Sequence, residues 1–252
     1  MKSSHLRQTV LAVSAVLTLT ALSSNAHAFL SVVPNHLAGV EGNSSSSSLS
    51  QAGAATLQAF FSEDFLAASG ITAGSNISGL AFRRNTGGTV GPAGDTTYAS
   101  FDIFMSQSFA TPGELGTTFA NNIVGTQSQV RSGGLTIGMN SIPGGGTPNA
   151  FGPLVNFDSG YTYNGGSLLI EIRRGARSGD LTTYNTDTDN TAASQVGARW
   201  FFNTSSSTAL TGTSVLGAQV FQLQYEAVPE PATMVALSLG AVALLRRRAK
   251  RQ

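Results

Sequence analysis

Short segments in the middle of the chain alternate hydrophobic residues with polar or small ones, with a period of two. Such alternation is typical of β-strands that bury one face, because successive side chains of a strand point to opposite sides. Stretches rich in Gly, Asn, Ser and Thr separate these segments, as expected of a β-sandwich. The clearest segments contain Leu80 and Phe82; Phe101, Ile103 and Met105; Leu135, Ile137 and Met139; Leu168, Ile170 and Ile172; and Phe221, Leu223 and Tyr225. We therefore predict an all-β domain over residues 29–226, an antiparallel β-sandwich of jelly-roll kind.

Two stretches are less clear. Helical spacing would place Leu57, Phe60, Phe61 and Phe65 on one face of a helix. Strand spacing would place Leu57, Phe61 and Phe65 on one face of a strand, with Glu63 as a polar residue on that face. We favour the strand, because no other segment of the domain has a helical pattern. The serine-rich run at residues 43–48 has low complexity and is predicted to be a solvated loop.

The N-terminus has the three zones of a secretion signal. Lys2 and Arg7 provide a positive start, residues 9–22 are uncharged and mostly apolar, and Ala26-His27-Ala28 forms a small-x-small cleavage site before Phe29. As a helix the apolar run is about 21 Å long, short of the roughly 30 Å hydrocarbon core of a membrane. We predict a signal peptide over residues 1–28, cleaved between Ala28 and Phe29.

The C-terminal residues form a second pattern in three parts. The tetrapeptide Val228-Pro229-Glu230-Pro231 comes first, a predicted transmembrane helix over residues 232–245 follows, and the chain then carries a basic cluster. The prolines keep the tetrapeptide extended, since neither can donate a backbone hydrogen bond. The basic residues would hold this end in the cytoplasm by the positive-inside rule; they are Arg246, Arg247, Arg248, Lys250 and Arg251. A simple tail anchor is the alternative.

This combination, together with the N-terminal signal, resembles the PEP-CTERM sorting tag over residues 227–252. The resemblance implies that an exosortase processes the protein after transient insertion in the inner membrane, in hosts that usually make extracellular polysaccharide. The domain also resembles a recurring β-rich group of PEP-CTERM proteins, which implies architecture and destination but no chemistry. The segments that carry this second resemblance are Val33-Pro34-Asn35, Val40-Glu41-Gly42-Asn43, Leu80-Ala81-Phe82-Arg83-Arg84, Thr118-Phe119-Ala120-Asn121-Asn122 and the run from Tyr163 to Ile172.

Composition narrows the range of functions. Charged residues make up 11% of the chain, and residues 29–226 contain seven arginines, no lysine and twelve acidic residues, a net charge of −5. Nucleic-acid-binding domains carry basic patches, so we expect no nucleic-acid partner. The chain has no cysteine, which excludes disulfides, thiolate metal sites and cysteine nucleophiles.

Catalytic patterns are weak. His36 is the one histidine left after signal removal, and no Gly-x-Ser-x-Gly motif accompanies it. A glycosidase needs two carboxylates that face each other; the candidates are Glu63, Asp64, Asp102, Asp158 and Glu171. Their spacing does not pair them, and Glu171 reads as an exposed charge beside Arg173. We predict neither an enzyme nor a cofactor.

Two binding chemistries remain. The run Asp187-Thr188-Asp189-Asn190, with Asp180 upstream, offers oxygen ligands of the kind calcium prefers, but Thr191 and Ala192 break the EF-hand spacing. A polar turn is favoured, and no metal site is predicted. The aromatic residues Tyr161, Tyr163, Trp200 and Phe202 are of the kind that stack on sugar rings, but for Trp200 and Phe202 we favour the core.

Together these patterns predict an exported protein that an exosortase sorts to the cell surface or the extracellular matrix. We expect a structural or adhesive role linked to exopolysaccharide. A carbohydrate-binding module at the same location is the alternative.

Overall fold

The structure is a computed structural model that describes residues 27–85 and 90–227. The predicted signal helix, the sorting tetrapeptide, the apolar helix at residues 232–245 and the basic cluster lie outside the described residues. Among the described helices, none is long and apolar enough to span a membrane.

Strands dominate the described residues, so the all-β prediction is confirmed. In chain order the strands are β1 Ala28–Val33, β2 Ser44–Ser46, β3 Ala55–Phe61, β4 Asn76–Phe82, β5 Thr96–Tyr98, β6 Phe101–Gln107, β7 Val124–Arg131, β8 Leu135–Ile137, β9 Val155–Thr162, β10 Leu168–Arg174, β11 Arg177–Gly179, β12 Thr186–Asp189, β13 Ala198–Asn203, β14 Thr213–Leu216, β15 Ala218–Gln219 and β16 Phe221–Glu226. The short helices are α1 Glu63–Ala68 and α2 Ala192–Gln195, with 3-10 turns at Asn35–Leu37, Pro112–Glu114 and Phe119–Asn122.

The strands pair antiparallel in two larger sheets and two small ones. The four-stranded sheet has the order β1-β16-β4-β9, and the six-stranded sheet has the order β14-β13-β3-β10-β6-β7. The small sheets have the orders β11-β5-β8 and β15-β12-β2. The first strand therefore pairs with the last, and most neighbours in the sheets are distant in sequence.

One hydrophobic core joins the two larger sheets. The ring of Phe221 in β16 lies 6.2 Å from that of Phe61 in β3 and 6.4 Å from that of Trp200 in β13, both edge-on. The predicted alternations supply this core from both sheets, as at Ile103 and Ile170. The alternation breaks at Met139, which lies beyond β8 and is exposed.

A second cluster lies on the opposite face of the six-stranded sheet. Phe60, Leu169 and Phe201 pack there against Leu115 and Phe119. The three central strands are thus covered on both faces, and all seven residues of β3 are buried.

The ambiguous stretch after residue 57 contains both structures. The favoured strand is correct as far as Phe61 but wrong from Glu63, where α1 begins. The carbonyl of Ser62 accepts the backbone N–H groups of Phe65 and Leu66, and the acidic residues at 63 and 64 favour a helix N-terminus. Leu66 is then buried in the main core.

The serine-rich run is not the loop that was predicted. Ser44, Ser45 and Ser46 form β2, which pairs with Thr188, Asp187 and Thr186 of β12. Hydrophobic periodicity detects a strand by its apolar face, and the serine segment has none. It is a strand because its backbone pairs with that of β12.

Candidate functional site

A groove of about 270 Å³ opens beside the small sheet that contains the serine strand. One wall comes from β2, β12 and β15 of this small sheet, and the other comes from β13 and β14 of the six-stranded sheet. The lining residues are 44–48, 51, 188–190, 200, 202 and 215–218. We call this cavity the serine groove.

The serine wall is held by backbone pairing and by its own hydroxyls. Ser46 and Ser48 share a hydrogen bond of 2.8 Å between their Oγ atoms, and Gln51 Nε2 donates to Ser47 Oγ at 3.2 Å. The side chain of Ser45 is exposed, and those of Ser44 and Ser47 are half-buried. Hydroxyl groups therefore line this wall where solvent or a ligand can reach them.

The aromatic wall comes from β13 and β14. Trp200 is only 3% exposed and belongs to the main core, as predicted, while Phe202 is half-buried and packs against that core. Both also line the serine groove. The indole Nε1 of Trp200 is buried and has no hydrogen-bond partner in the described part of the chain. A buried donor without an acceptor is uncommon in folded proteins.

The other two aromatic candidates lie elsewhere. Tyr163 is buried and donates its hydroxyl to the carbonyl of Gly166. Tyr161 lines a separate polar groove of about 550 Å³, whose lining residues include Thr126 and Ser128 of β7 and Ser159 of β9. The four aromatic residues therefore do not form one platform.

Asp187, on β12 beside the groove, is held in a buried ion pair. Arg83 Nε donates to Asp187 Oδ2 at 2.7 Å, and the backbone N–H of Gly42 donates to Oδ1 at 3.1 Å. Arg83 Nη2 also donates to the carbonyls of Leu37 and Val40. Desolvation by burial outweighs the attraction of Arg83 and raises the pKa of Asp187 to about 6. This pair fixes the chain before the serine strand to β12.

The raised pKa of Asp187 predicts a pH-dependent stability. The ordinary pKa of this group is near 3.8, so its contribution is fully present below about pH 4 and is lost as the pH rises through about 6. We expect the free energy of unfolding to fall between pH 4 and pH 7 by on the order of 3 kcal/mol more in the wild type than in Asp187→Asn. Urea unfolding across this pH range measures the difference, and parallel profiles would contradict it.

Asp189 is the second carboxylate of β12 and is 2% exposed. Burial alone would raise its pKa, but hydrogen bonds from Ser194, Thr191 and the backbone N–H of Asn43 together lower it. These donors already occupy the carboxylate oxygens and fasten Asn43, the residue before the serine strand.

The segment from Asp187 to Asn190 is not the favoured polar turn. Its first three residues belong to a buried strand. Burial of the two carboxylates is possible because distant residues, Arg83 and Asn43, donate hydrogen bonds to them. Asp180 lies in an exposed loop, where it accepts the backbone N–H groups of Gly94 and Thr182. No group of three or more His, Asp or Glu residues that could hold a metal ion occurs in the described part of the chain.

The hydrolase candidates also have structural partners. His36 Nε2 lies 3.2 Å from Ser194 Oγ and 3.9 Å from Asp189 Oδ2, and its ring packs edge-on against Phe65. Sequence reasoning missed this Ser-His-Asp grouping because Ser194 is distant in sequence from His36. The same ring nitrogen faces both partners, whereas a catalytic triad uses the two nitrogens separately.

The remaining carboxylates correct one prediction. Glu171 was expected to be exposed but is buried. Its carboxylate is satisfied there by hydrogen bonds from Gln58 Nε2, at 2.6 Å, and from Arg173 Nε. Asp102 and Asp158 accept the backbone N–H groups of neighbouring residues, Gly133 and Ser132. Glu63 and Asp64 are exposed in the first turn of α1.

The two predicted processing points lie beside the paired ends of the domain. Ala28, the first residue of β1, is the register partner of Glu226, the last residue of β16, and Phe29 is the partner of Tyr225. Ala26 and residues 228–231 lie outside the described residues.

Comparison with known protein families identifies the C-terminal segment. Residues 227–251 match the family described as the PEP-CTERM protein-sorting motif. No curated protein matches the chain. The match begins where the compact unit Ala28–Ala227 ends.

Proposed function

From the premise that this chain carries the PEP-CTERM tag of an exosortase substrate, we propose that it serves a structural or adhesive role at the cell surface or in the extracellular matrix, linked to exopolysaccharide. The observation that carries the proposal is the sorting motif at residues 227–251, which supports export and exosortase processing. In this scheme the apolar helix at 232–245 holds the protein in the inner membrane until the tail is removed.

The described domain is suited to release at both ends. Cleavage between Ala28 and Phe29 removes one residue of β1 and leaves Phe29 to Val33 paired with β16. Tail removal after Ala227 removes no strand, because β16 ends at Glu226. The processed protein would therefore keep every described sheet.

The proposal includes a β-sandwich of jelly-roll kind. Two antiparallel sheets that share one core, joined by the contacts of Phe221 with Phe61 and Trp200, support a sandwich. The first strand and the last lie side by side within the four-stranded sheet.

Surface charge is consistent with a matrix component that does not bind nucleic acid. Arg83, Arg174 and Arg177 are buried, and the last two donate to the carbonyls of Ser48 and Leu181. Fewer arginines therefore remain on the surface than the sequence suggests. We propose no catalytic activity.

Replacing Pro229-Glu230-Pro231 with three alanines tests the sorting role. We expect the wild type to lose mass at both ends and to leave the inner membrane, while the variant keeps its tail and stays there. Intact mass and membrane fractionation measure this in cells that make an exosortase.

The matched control is Glu63→Ala combined with Pro153→Ala, which removes one exposed glutamate and one exposed proline from the domain. This control should be processed like the wild type. If the wild type also keeps its full C-terminus in the membrane, the tail is a simple anchor and the sorting role is wrong.

Carbohydrate binding is the second candidate function. The observation that favours it is the serine groove, whose lining combines serine hydroxyl groups with apolar side chains.

A further inference from the structure

We propose that the serine groove binds a short, uncharged segment of polysaccharide. This inference rests on the second function proposed above and assigns it a site and a ligand class. Two properties of the groove support this ligand class: the absence of cationic side chains among its described lining residues, and a lining that combines hydroxyl groups with apolar side chains.

The lining of the groove disfavours anionic ligands. None of the described residues that line it is Lys, Arg or His, so a phosphate or sulfate group would find no cation among them. The one carboxylate that lines it, Asp189, already accepts hydrogen bonds from Asn43 and Thr191. An uncharged ligand fits these surroundings best.

The two walls match the two sides of a sugar ring. Pyranose rings have an apolar C–H face, which packs on aromatic and aliphatic side chains, and an equatorial rim of hydroxyls. Phe202, Val215 and Leu216 supply the accessible apolar wall, since Phe202 is half-buried and the other two are exposed. Ser44, Ser45 and Ser47 on the opposite wall donate and accept hydrogen bonds, as sugar hydroxyls require.

The indole of Trp200 lines the groove from the core side. The residue is 3% exposed, and its Nε1–H is buried and lacks an acceptor among the described residues. A ligand in the groove would therefore lie beside the indole and change its surroundings without stacking on the ring. The groove volume of about 270 Å³ lies just below the roughly 300–1,000 Å³ of small-molecule pockets, which suits a short segment.

The position of the serine strand is fixed before any ligand arrives. Backbone pairing to β12 and the hydrogen bonds that Asp187 and Asp189 accept from Gly42 and Asn43 hold it in place. Preorganised hydroxyls lose little entropy on binding, which favours recognition by several weak hydrogen bonds.

The test uses the fluorescence of Trp200, the single tryptophan of the chain. Full-length protein in detergent is titrated with neutral tetrasaccharides of α- and β-linked glucose, mannose, galactose and N-acetylglucosamine. We expect at least one to change the Trp200 emission saturably. The triple variant Ser44→Ala, Ser45→Ala and Ser47→Ala should lose roughly tenfold or more in affinity, because three hydrogen bonds are removed.

The matched control removes three exposed hydroxyls from the separate groove between β7 and β9, by Thr126→Ala, Ser128→Ala and Ser159→Ala. This control should bind like the wild type. Loss of binding in the control but not in the serine variant would place the ligand in the other groove and overturn the assignment. No saturable change with any tetrasaccharide, in protein with a normal melting transition, would also overturn it.

The binding test does not depend on tail removal, because it uses the unprocessed chain. Binding without processing in cells would contradict the sorting role alone. Processing without binding to any tetrasaccharide would contradict the carbohydrate-binding function and the groove assignment together, whereas binding that survives the serine substitutions would contradict the groove assignment alone.

Discussion

Replacing Phe221 with alanine is expected to lower the free energy of unfolding by about 3–5 kcal/mol. Phe221 is fully buried in β16, and its ring meets Phe61 and Trp200 of the six-stranded sheet. Truncation removes apolar contacts that join the two larger sheets and leaves a cavity between two rings. Because these neighbours belong to different strands of a paired sheet, they have little freedom to collapse into the space.

Urea unfolding of the variant measures this loss, with Phe29→Ala as the matched control. Phe29 lies in the strand paired with β16 but is 50% exposed. We expect the control to lose less than half as much stability as Phe221→Ala, since half of the Phe29 side chain is already exposed in the folded protein. Equal losses would mean that Phe221 does not join the sheets.

Replacing Arg83 with methionine should also destabilise the domain, by about 3–5 kcal/mol at pH 7. The variant leaves the buried carboxylate of Asp187 without its cation and leaves the carbonyls of Leu37 and Val40 without a donor. The chain that precedes the serine strand would lose its attachment to β12. Equilibrium unfolding at pH 7 gives the loss for the whole domain.

The double variant Arg83→Met with Asp187→Leu separates charge from packing. An apolar pair of similar volume often replaces a buried ion pair at little cost, so the double variant should regain much of the stability that the single variant loses. If the double variant is as unstable as the single one, the hydrogen bonds to Leu37 and Val40 matter more than the charge of Asp187.

The core could be predicted from the sequence where alternation was regular. Ile103, Ile170 and Leu223 lie on the buried faces that their spacing predicts. Prediction failed where burial is not one-sided: Phe60 and Leu169 alternate with core residues, yet they are buried in the second cluster on the opposite face. Periodicity indicates that a strand has an apolar face, but it does not indicate what covers the other face.

The candidate site was predicted only in parts. Trp200 was expected in the core and lies there, but its place in a groove with the serine run was not predicted. Asp187 was singled out as a carboxylate, but its partner Arg83 lies 104 residues away. A pattern of neighbouring residues carries no information about such a partner.

The amino-acid sequence was sufficient to identify the sorting motif and the all-β fold class. The motif at 227–251 is contiguous and strand alternation extends over a few residues, so both can be recognised without the three-dimensional structure. Three features could be read only from the three-dimensional structure: the serine run is a strand, Glu171 is buried, and Trp200 lines the same groove as the serines. The physical reason is that hydrogen-bond partners and burial come from residues far apart in the chain, which the antiparallel pairing of distant strands brings together.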